Sequence, residues 1–147
     1  MTKVTVVCGP PGSGKTTYVR ERVRWGDLII DLDAIYVAIG GQGDHQHAIG
    51  LLPFALAVRD ALYRKLESSA VDVRHAWVVT SGAKQAARDA LRQRLGAHVV
   101  VLETGPNECA RRIHSDDSRG SKDAQVELVQ TWWREYRVDE RDECIKL

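Results

Sequence analysis

Several features that would classify this chain at once are missing or scarce. There are 3 cysteines in 147 residues. Cys8, Cys109 and Cys144 form neither an even set nor a metal-ligand spacing, which argues against a disulfide scaffold and against zinc. They read as three free thiols of a reducing compartment, so a cytoplasmic protein is expected. The formal charge is only +1, which removes any global attraction to nucleic acid or to a membrane surface; a basic site would have to be local. No apolar run approaches the roughly 18 to 20 residues that a membrane span needs. The first residues pass from a single lysine straight into Val4–Cys8 and a glycine-rich turn, which is not the pattern of a secretory leader. Repeats, low-complexity tracts and linkers are absent as well, so residues 1–147 read as one domain. What is present is ordinary for a globular chain: 44% apolar and 28% charged residues, enough for a real core.

Four short runs rich in Val and Ile stand out: Val4–Cys8, Leu28–Asp31, Ala76–Thr80 and His98–Leu102. They lack strict alternation, which fits strands buried on both faces. Helical patterns separate them. The first spans Lys15–Arg24. In the second, Phe54, Ala57, Val58, Ala61, Leu62 and Leu66 make one apolar face. The third is Ala83–Leu95, stopped by Gly96 as a C-terminal cap. Asn107–His114 is a short helix, and Ala124–Arg141 a longer one whose Val129, Trp132, Trp133 and Tyr136 read as core. Strands alternating with helices imply an α/β fold with a mostly parallel sheet of four to five strands and helices on both faces. Two stretches look irregular, Gly40–Gly50 and Ser115–Lys122. Both are placed on the side where open α/β sheets bind ligands.

Gly9-Pro10-Pro11-Gly12-Ser13-Gly14-Lys15-Thr16 matches G-x-x-x-x-G-K-[ST] in full, with an apolar strand before it and a helix after it. Glycines let successive backbone N–H groups turn inward as an anion nest, which the helix N-terminus reinforces. Residues 9 to 16 and Thr17 are therefore expected to hold ATP. Lys15 would reach the β- and γ-phosphates and the Thr16 hydroxyl would ligate Mg²⁺.

Such a site also needs a carboxylate near the terminal phosphate. The Asp-Glu pair that commonly ends a strand in water-hydrolysing motor ATPases is missing: Trp77-Val78-Val79 runs into Thr80-Ser81, and Val99–Leu102 into Glu103-Thr104. The acids follow the second strand instead, as Asp31 and Asp33, two residues apart and close to the strand end. The same two acids also read as caps of a helix beginning near Ala34.

On the glycine loop, Asp33 and the arginines after the fourth strand, the chain resembles the small P-loop kinases. The likeness is greatest to the branch containing polynucleotide kinase, zeta toxin and gluconate kinase; similar compact proteins are often encoded by bacteriophages. The resemblance implies a three-layer P-loop NTPase fold and transfer of the ATP γ-phosphate to a hydroxyl of a nucleotide, a polynucleotide 5′ end or a small molecule. It makes Asp33 the general base that aligns the hydroxyl, and Asp31 a neighbour that orients it or holds water around the metal. It also implies a lid over about residues 111–122, in which Arg112 and Arg119, with Arg111 as an alternate, pair with phosphate oxygens or stack on the base. Polynucleotide kinases carry an arginine three residues after that Asp, and here the position is Tyr36. Two other readings stay open: an NTPase that passes phosphate to water as a switch or as part of a DNA-processing assembly, and a non-catalytic nucleotide-binding module.

The acceptor pocket of such kinases lies between the second and third strands. His45 and His47 there lack the further ligands of a metal site and read as substrate hydrogen bonding or loop solvation. Arg59 reads as a surface charge or a contact to an acceptor phosphate. Thr80, Ser81, Gly82 and Lys84 are expected along the cleft.

Overall fold

The computed structural model describes residues 1–40, 48–68, 70–117 and 119–147. Five strands, β1 (Lys3–Cys8), β2 (Leu28–Asp31), β3 (His75–Thr80), β4 (His98–Glu103) and β5 (Glu143–Lys146), form one sheet in the order β2-β3-β1-β4-β5. Every pairing is parallel, with Val6 beside Val78 on one side and Val99 on the other. Among the described residues, six helices connect or follow the strands: α1 (Lys15–Arg20), α2 (Leu32–Gly40), α3 (Leu52–Glu67), α4 (Gln85–Leu95), α5 (Pro106–Ser115) and α6 (Lys122–Glu135), with a 3₁₀ turn at Ile49–Leu51.

The central strands are buried on both faces, which is why their sequences are continuous Val runs rather than alternating ones. Val6, Cys8, Val78, Val99 and Val101 pack under α2, α3, α4 and α6 through Tyr36, Tyr63, Leu91 and Trp132. The intervening Val7, Val79, Val100 and Leu102 face α1 through Val19. Helix α5 packs on α6 through Cys109, Ile113 and Val129. Gly96 closes α4 in the left-handed conformation, φ 60°, as its position predicted. Trp132 and Tyr136 pack in the core, with partly buried Trp133 against them. The indole N–H groups of Trp132 and Trp133 donate to Ser81 O at 2.8 Å and Thr104 O at 3.2 Å, which satisfies groups that burial would otherwise orphan.

Some expected boundaries differ. The first helix ends at Arg20 rather than Arg24, and the helix after β2 begins at Leu32. The last helix stops at Glu135, not Arg141, because Tyr136 turns to an extended conformation and the chain continues into β5 beside β4. Between Ser115, which closes α5, and Lys122, which opens α6, the described residues are irregular, as expected. Residues 41–47, including His45 and His47, lie outside the described residues. Among the described residues, no helix is long and apolar enough to cross a membrane, and Cys8, Cys109 and Cys144 are unbridged.

Candidate active site

The glycine loop leaves β1 at the carboxyl edge of the sheet, tied down by Gly9 N–H donating to Ser81 O at 3.1 Å. Ser13 N–H donates back to Pro10 O at 3.1 Å. Gly12 and Gly14 then take left-handed φ values of 75° and 98°, a region that side-chain-bearing residues rarely enter. Gly12 is also pressed against α5: a Cβ there would lie 2.8 Å from Cys109 O. Thr104, fully buried at the end of β4, donates its hydroxyl to Ser13 O at 2.8 Å. The loop is thus clamped from β3, β4 and α5. Gly14 is the N-cap of α1 and supplies no side-chain cap, so the first-turn amides of α1 must find partners outside the helix. Ser13 Oγ is likewise buried without a partner among the described residues. Unmet donors converging on a fixed concave loop suit a polyphosphate.

Lys15 folds over this loop, its Nζ donating to Gly9 O at 2.8 Å and Pro10 O at 3.1 Å. Desolvation pulls its pKa down to about 8, opposed in part by the negative charge of nearby Asp33 and Asp31 and reinforced by the positive charge of Arg119. Lys15 is a cation held in place without an ion pair strong enough to restore its ordinary pKa.

Asp31 ends β2 and caps α2. Its Oδ1 accepts from Asp33 N–H at 3.0 Å, and Ala34 N–H adds a second bond. Burial raises the Asp31 pKa, and the neighbouring Asp33 charge raises it further. The Asp31 carboxylate thus caps α2. Asp33 contributes its backbone N–H to that cap while its carboxylate sits in the first helical turn. Thr16 is exposed in the first turn of α1.

Two arginines close the opposite wall. Arg112, in the last turn of α5, donates to Glu108 Oε1 at 2.9 Å and to Gly12 O at 3.4 Å. Its terminal nitrogen would be 3.1 Å from a Cβ at Gly14, so it hangs directly over the loop. Arg111 and Arg112 together hold the Glu108 carboxyl at a pKa of about 2. Arg119 donates its Nε to Asp116 Oδ2 at 3.1 Å and an Nη to Gln125 Oε1.

These groups line one cleft of about 860 Å³, a size that suits a nucleotide. It brings together Pro11 to Thr17, Asp31, Asp33, Arg112 and Arg119. Gly9 and Pro10 contribute their carbonyls to Lys15 rather than a wall. Four expected cleft residues lie elsewhere. The Ser81 carbonyl accepts from Gly9 N–H and Trp132, and the Gly82 carbonyl accepts from buried Arg88 at 2.9 Å. Thr80 ends β3 and Lys84 caps α4, and none of the four reaches the cleft. Arg59 sits over the Tyr63 ring at 5.8 Å, away from it. Sequence reasoning did not find Asp116, Gln125 and Leu128, nor Ile145 of the last strand and Leu147 just after it, all of which line it. Neither Asp116, at the end of α5, nor Gln125, in α6, carries a local motif that would mark it in the sequence.

Residues 4–137 match the family model described as AAA domain. A shikimate kinase of Corynebacterium diphtheriae is 29% identical over 120 residues, covering 79% of this chain and 65% of that protein. The chain thus spans less than two thirds of the length of that curated relative. A gluconokinase structure from Sinorhizobium meliloti superposes with a TM-score of 0.61 at 23% identity, covering 98% of this chain and 82% of the other. The Pnkp1/Rnl/Hen1 RNA repair complex contains a chain that matches at a TM-score of 0.64 and 15% identity, over 92% of this chain and 46% of its own. At these identities the structural likeness concerns the fold, which is that of small P-loop kinases.

Proposed function

Because this chain belongs to the AAA domain family and has the fold of small P-loop kinases, we propose that it is an ATP-dependent phosphotransferase acting on a hydroxyl acceptor. The observation that carries this reading is the gathering of Lys15 and the two acids that follow β2 in one cleft. Asp31 and Asp33 both line it, and the Asp31 carboxylate also caps α2.

In this reading the loop amides and Lys15 hold the triphosphate, and Lys15 exchanges its carbonyl partners for phosphate oxygens. Asp33 accepts the hydroxyl proton and aligns the oxygen for in-line attack on the γ-phosphorus; ADP leaves with the broken bond's electrons. Arg112 and Arg119 offset charge on the transferred group, and residues 111–122 act as the lid of a single domain. Thr16 and Asp31 are hard oxygen donors that fit Mg²⁺, an ion that keeps waters and substrate phosphates as ligands. Among the described residues no cluster of three His, Cys, Asp or Glu could hold a metal unaided, which suits an ion that arrives with the nucleotide. When bound, Mg²⁺ supplies charge shielding on the phosphates.

The acceptor is read as a small polyhydroxylated compound. Tyr36, where a polynucleotide kinase carries its arginine, is 5% exposed and packs in the core. The names of the similar kinases also point to small hydroxy acids. The test is Asp33→Asn with γ-labelled ATP and a panel of polyols, sugar acids and 5′-hydroxyl oligonucleotides. Transfer should drop at least about a hundredfold, within the range for a positioned general base, while Mg·ATP affinity stays within about threefold. Undiminished transfer would reduce Asp33 to a structural acid.

A further inference from the structure

The segment between α5 and α6 contains one guanidinium with two side-chain partners of different character. Arg119 is only 14% exposed at its side chain. Its Nε goes to the Asp116 carboxylate, from the turn after α5, and an Nη goes to the side-chain carbonyl of Gln125, from the first full turn of α6. All three side chains line the cleft beside the glycine loop, and the Arg119 charge is near enough to Lys15 to bear on its titration. The frame behind them is fixed. Lys122 Nζ donates to His114 O at 2.9 Å, pinning the start of α6 to the end of α5, and Gln125 N–H donates to Ser121 O at 3.1 Å. Val129, one turn beyond Gln125, is 1% exposed against Cys109 and Ile113.

We propose that Gln125 is a positioning residue of the phosphoryl-transfer site, holding the Arg119 guanidinium over the glycine loop by a bond that orients it without neutralising it. This rests on the phosphotransferase reading above. The chemistry of the pair explains the choice of residue. A planar guanidinium offers its donors in a fixed fork, so one anchored edge sets the direction of the others. Asp116 is a carboxylate and competes with a phosphate oxygen for the same cation. Gln125 is a neutral acceptor, so it keeps its bond when an anion enters and leaves the full positive charge to meet it. A rigid helix also places a group more reproducibly than the turn that carries Arg119 itself. Gln125 touches neither nucleotide nor acceptor in this account and acts only through Arg119.

A double-mutant cycle decides the matter. The probe is phosphate release from Mg·ATP with water as acceptor, alongside affinity for Mg·ADP with aluminium fluoride, which reads transition-state binding even where turnover is slow. Arg119→Ala should lower both by at least tenfold. Gln125→Ala should lower both by about fivefold to thirtyfold in the wild-type background while the midpoint of thermal unfolding and the affinity for Mg·ADP stay unchanged. In the Arg119→Ala background the same Gln125→Ala change should have no further effect. Gln125→Glu restores an acceptor but neutralises the arginine, so it should remain impaired. If Gln125→Ala is silent alone, or costs the same in both backgrounds, the positioning role is wrong. If Arg119→Ala itself leaves both readouts intact, the phosphotransferase role of Arg119 fails first, and the Gln125 role falls with it.

Discussion

A lysine with a pKa of about 8 is a proton-sensitive anion receptor. The burial that depresses it disfavours the ammonium, and a bound polyphosphate restores it, so nucleotide binding and protonation reinforce each other. Below pH 8 the charged form is already present and affinity should be flat. Above it, binding must draw a proton from solvent, and Mg·ATP affinity should fall by up to about tenfold per pH unit. Calorimetry near pH 8.5 in buffers of different ionisation enthalpy would register the uptake; buffer-independent heats would contradict it. The Asp31 cap has its own test. Asp31→Ala should cost about 1 kcal/mol in urea unfolding, and a cost below about 0.3 kcal/mol would mean that α2 starts without it. The loop and both acids could be read from the sequence because each sits in consecutive letters beside a strand. Thr104, Gln125 and Leu128 could not, since only packing of β4 and α6 against the loop brings them to it.

Elements are fixed here by a few buried polar anchors, and Arg88 is the clearest. It is fully buried in α4 and donates to the Asp142 carboxylate at 2.8 Å, to the Gly82 and Ala83 carbonyls at 2.9 and 2.8 Å, and to Arg137 O at 2.6 Å. By taking the Arg137 carbonyl it draws the chain out of α6 and turns it toward β5. Arg88→Met should leave buried Asp142 with Arg92 as its one ion-pair partner among the described residues and should cost about 3–5 kcal/mol, the scale for breaking a buried pair, read as a shift in the denaturation midpoint. A cost below about 1 kcal/mol would mean that the last strand holds without this anchor. The same contact explains the boundary that sequence periodicity missed. The helical spacing of Val129, Trp132, Trp133 and Tyr136 gave no sign of ending, and β5 is four residues with charged ends, Glu143–Lys146, without the Val-rich run that exposed the other four strands.

At the scale of the molecule, one face of the sheet carries α2, α3, α4 and α6, the other carries α1, and α5 presses on Gly12 where the two layers meet the carboxyl edge. The cleft is therefore built from both ends of the chain, from Pro11 to Leu147. Its architecture was legible from the alternation of strands and helices, whereas the apolar wall made by Ile145 and Leu147 depended on the unseen fifth strand. Gly12→Ala should act across these layers. It forces a left-handed φ of 75° on alanine and a 2.8 Å approach to Cys109 O, so it should loosen loop and α5 together and weaken Mg·ATP binding by at least tenfold while the sheet's far-ultraviolet signal persists. Retained affinity would show that the loop has room that its packing denies. The most direct test of the whole account follows the label from γ-labelled ATP after incubation with wild-type protein, Mg²⁺ and pooled polyols and sugar acids. Transfer predicts that most of the label appears covalently on an organic acceptor and vanishes with Lys15→Ala; label found only in inorganic phosphate, whatever acceptor is supplied, would contradict it.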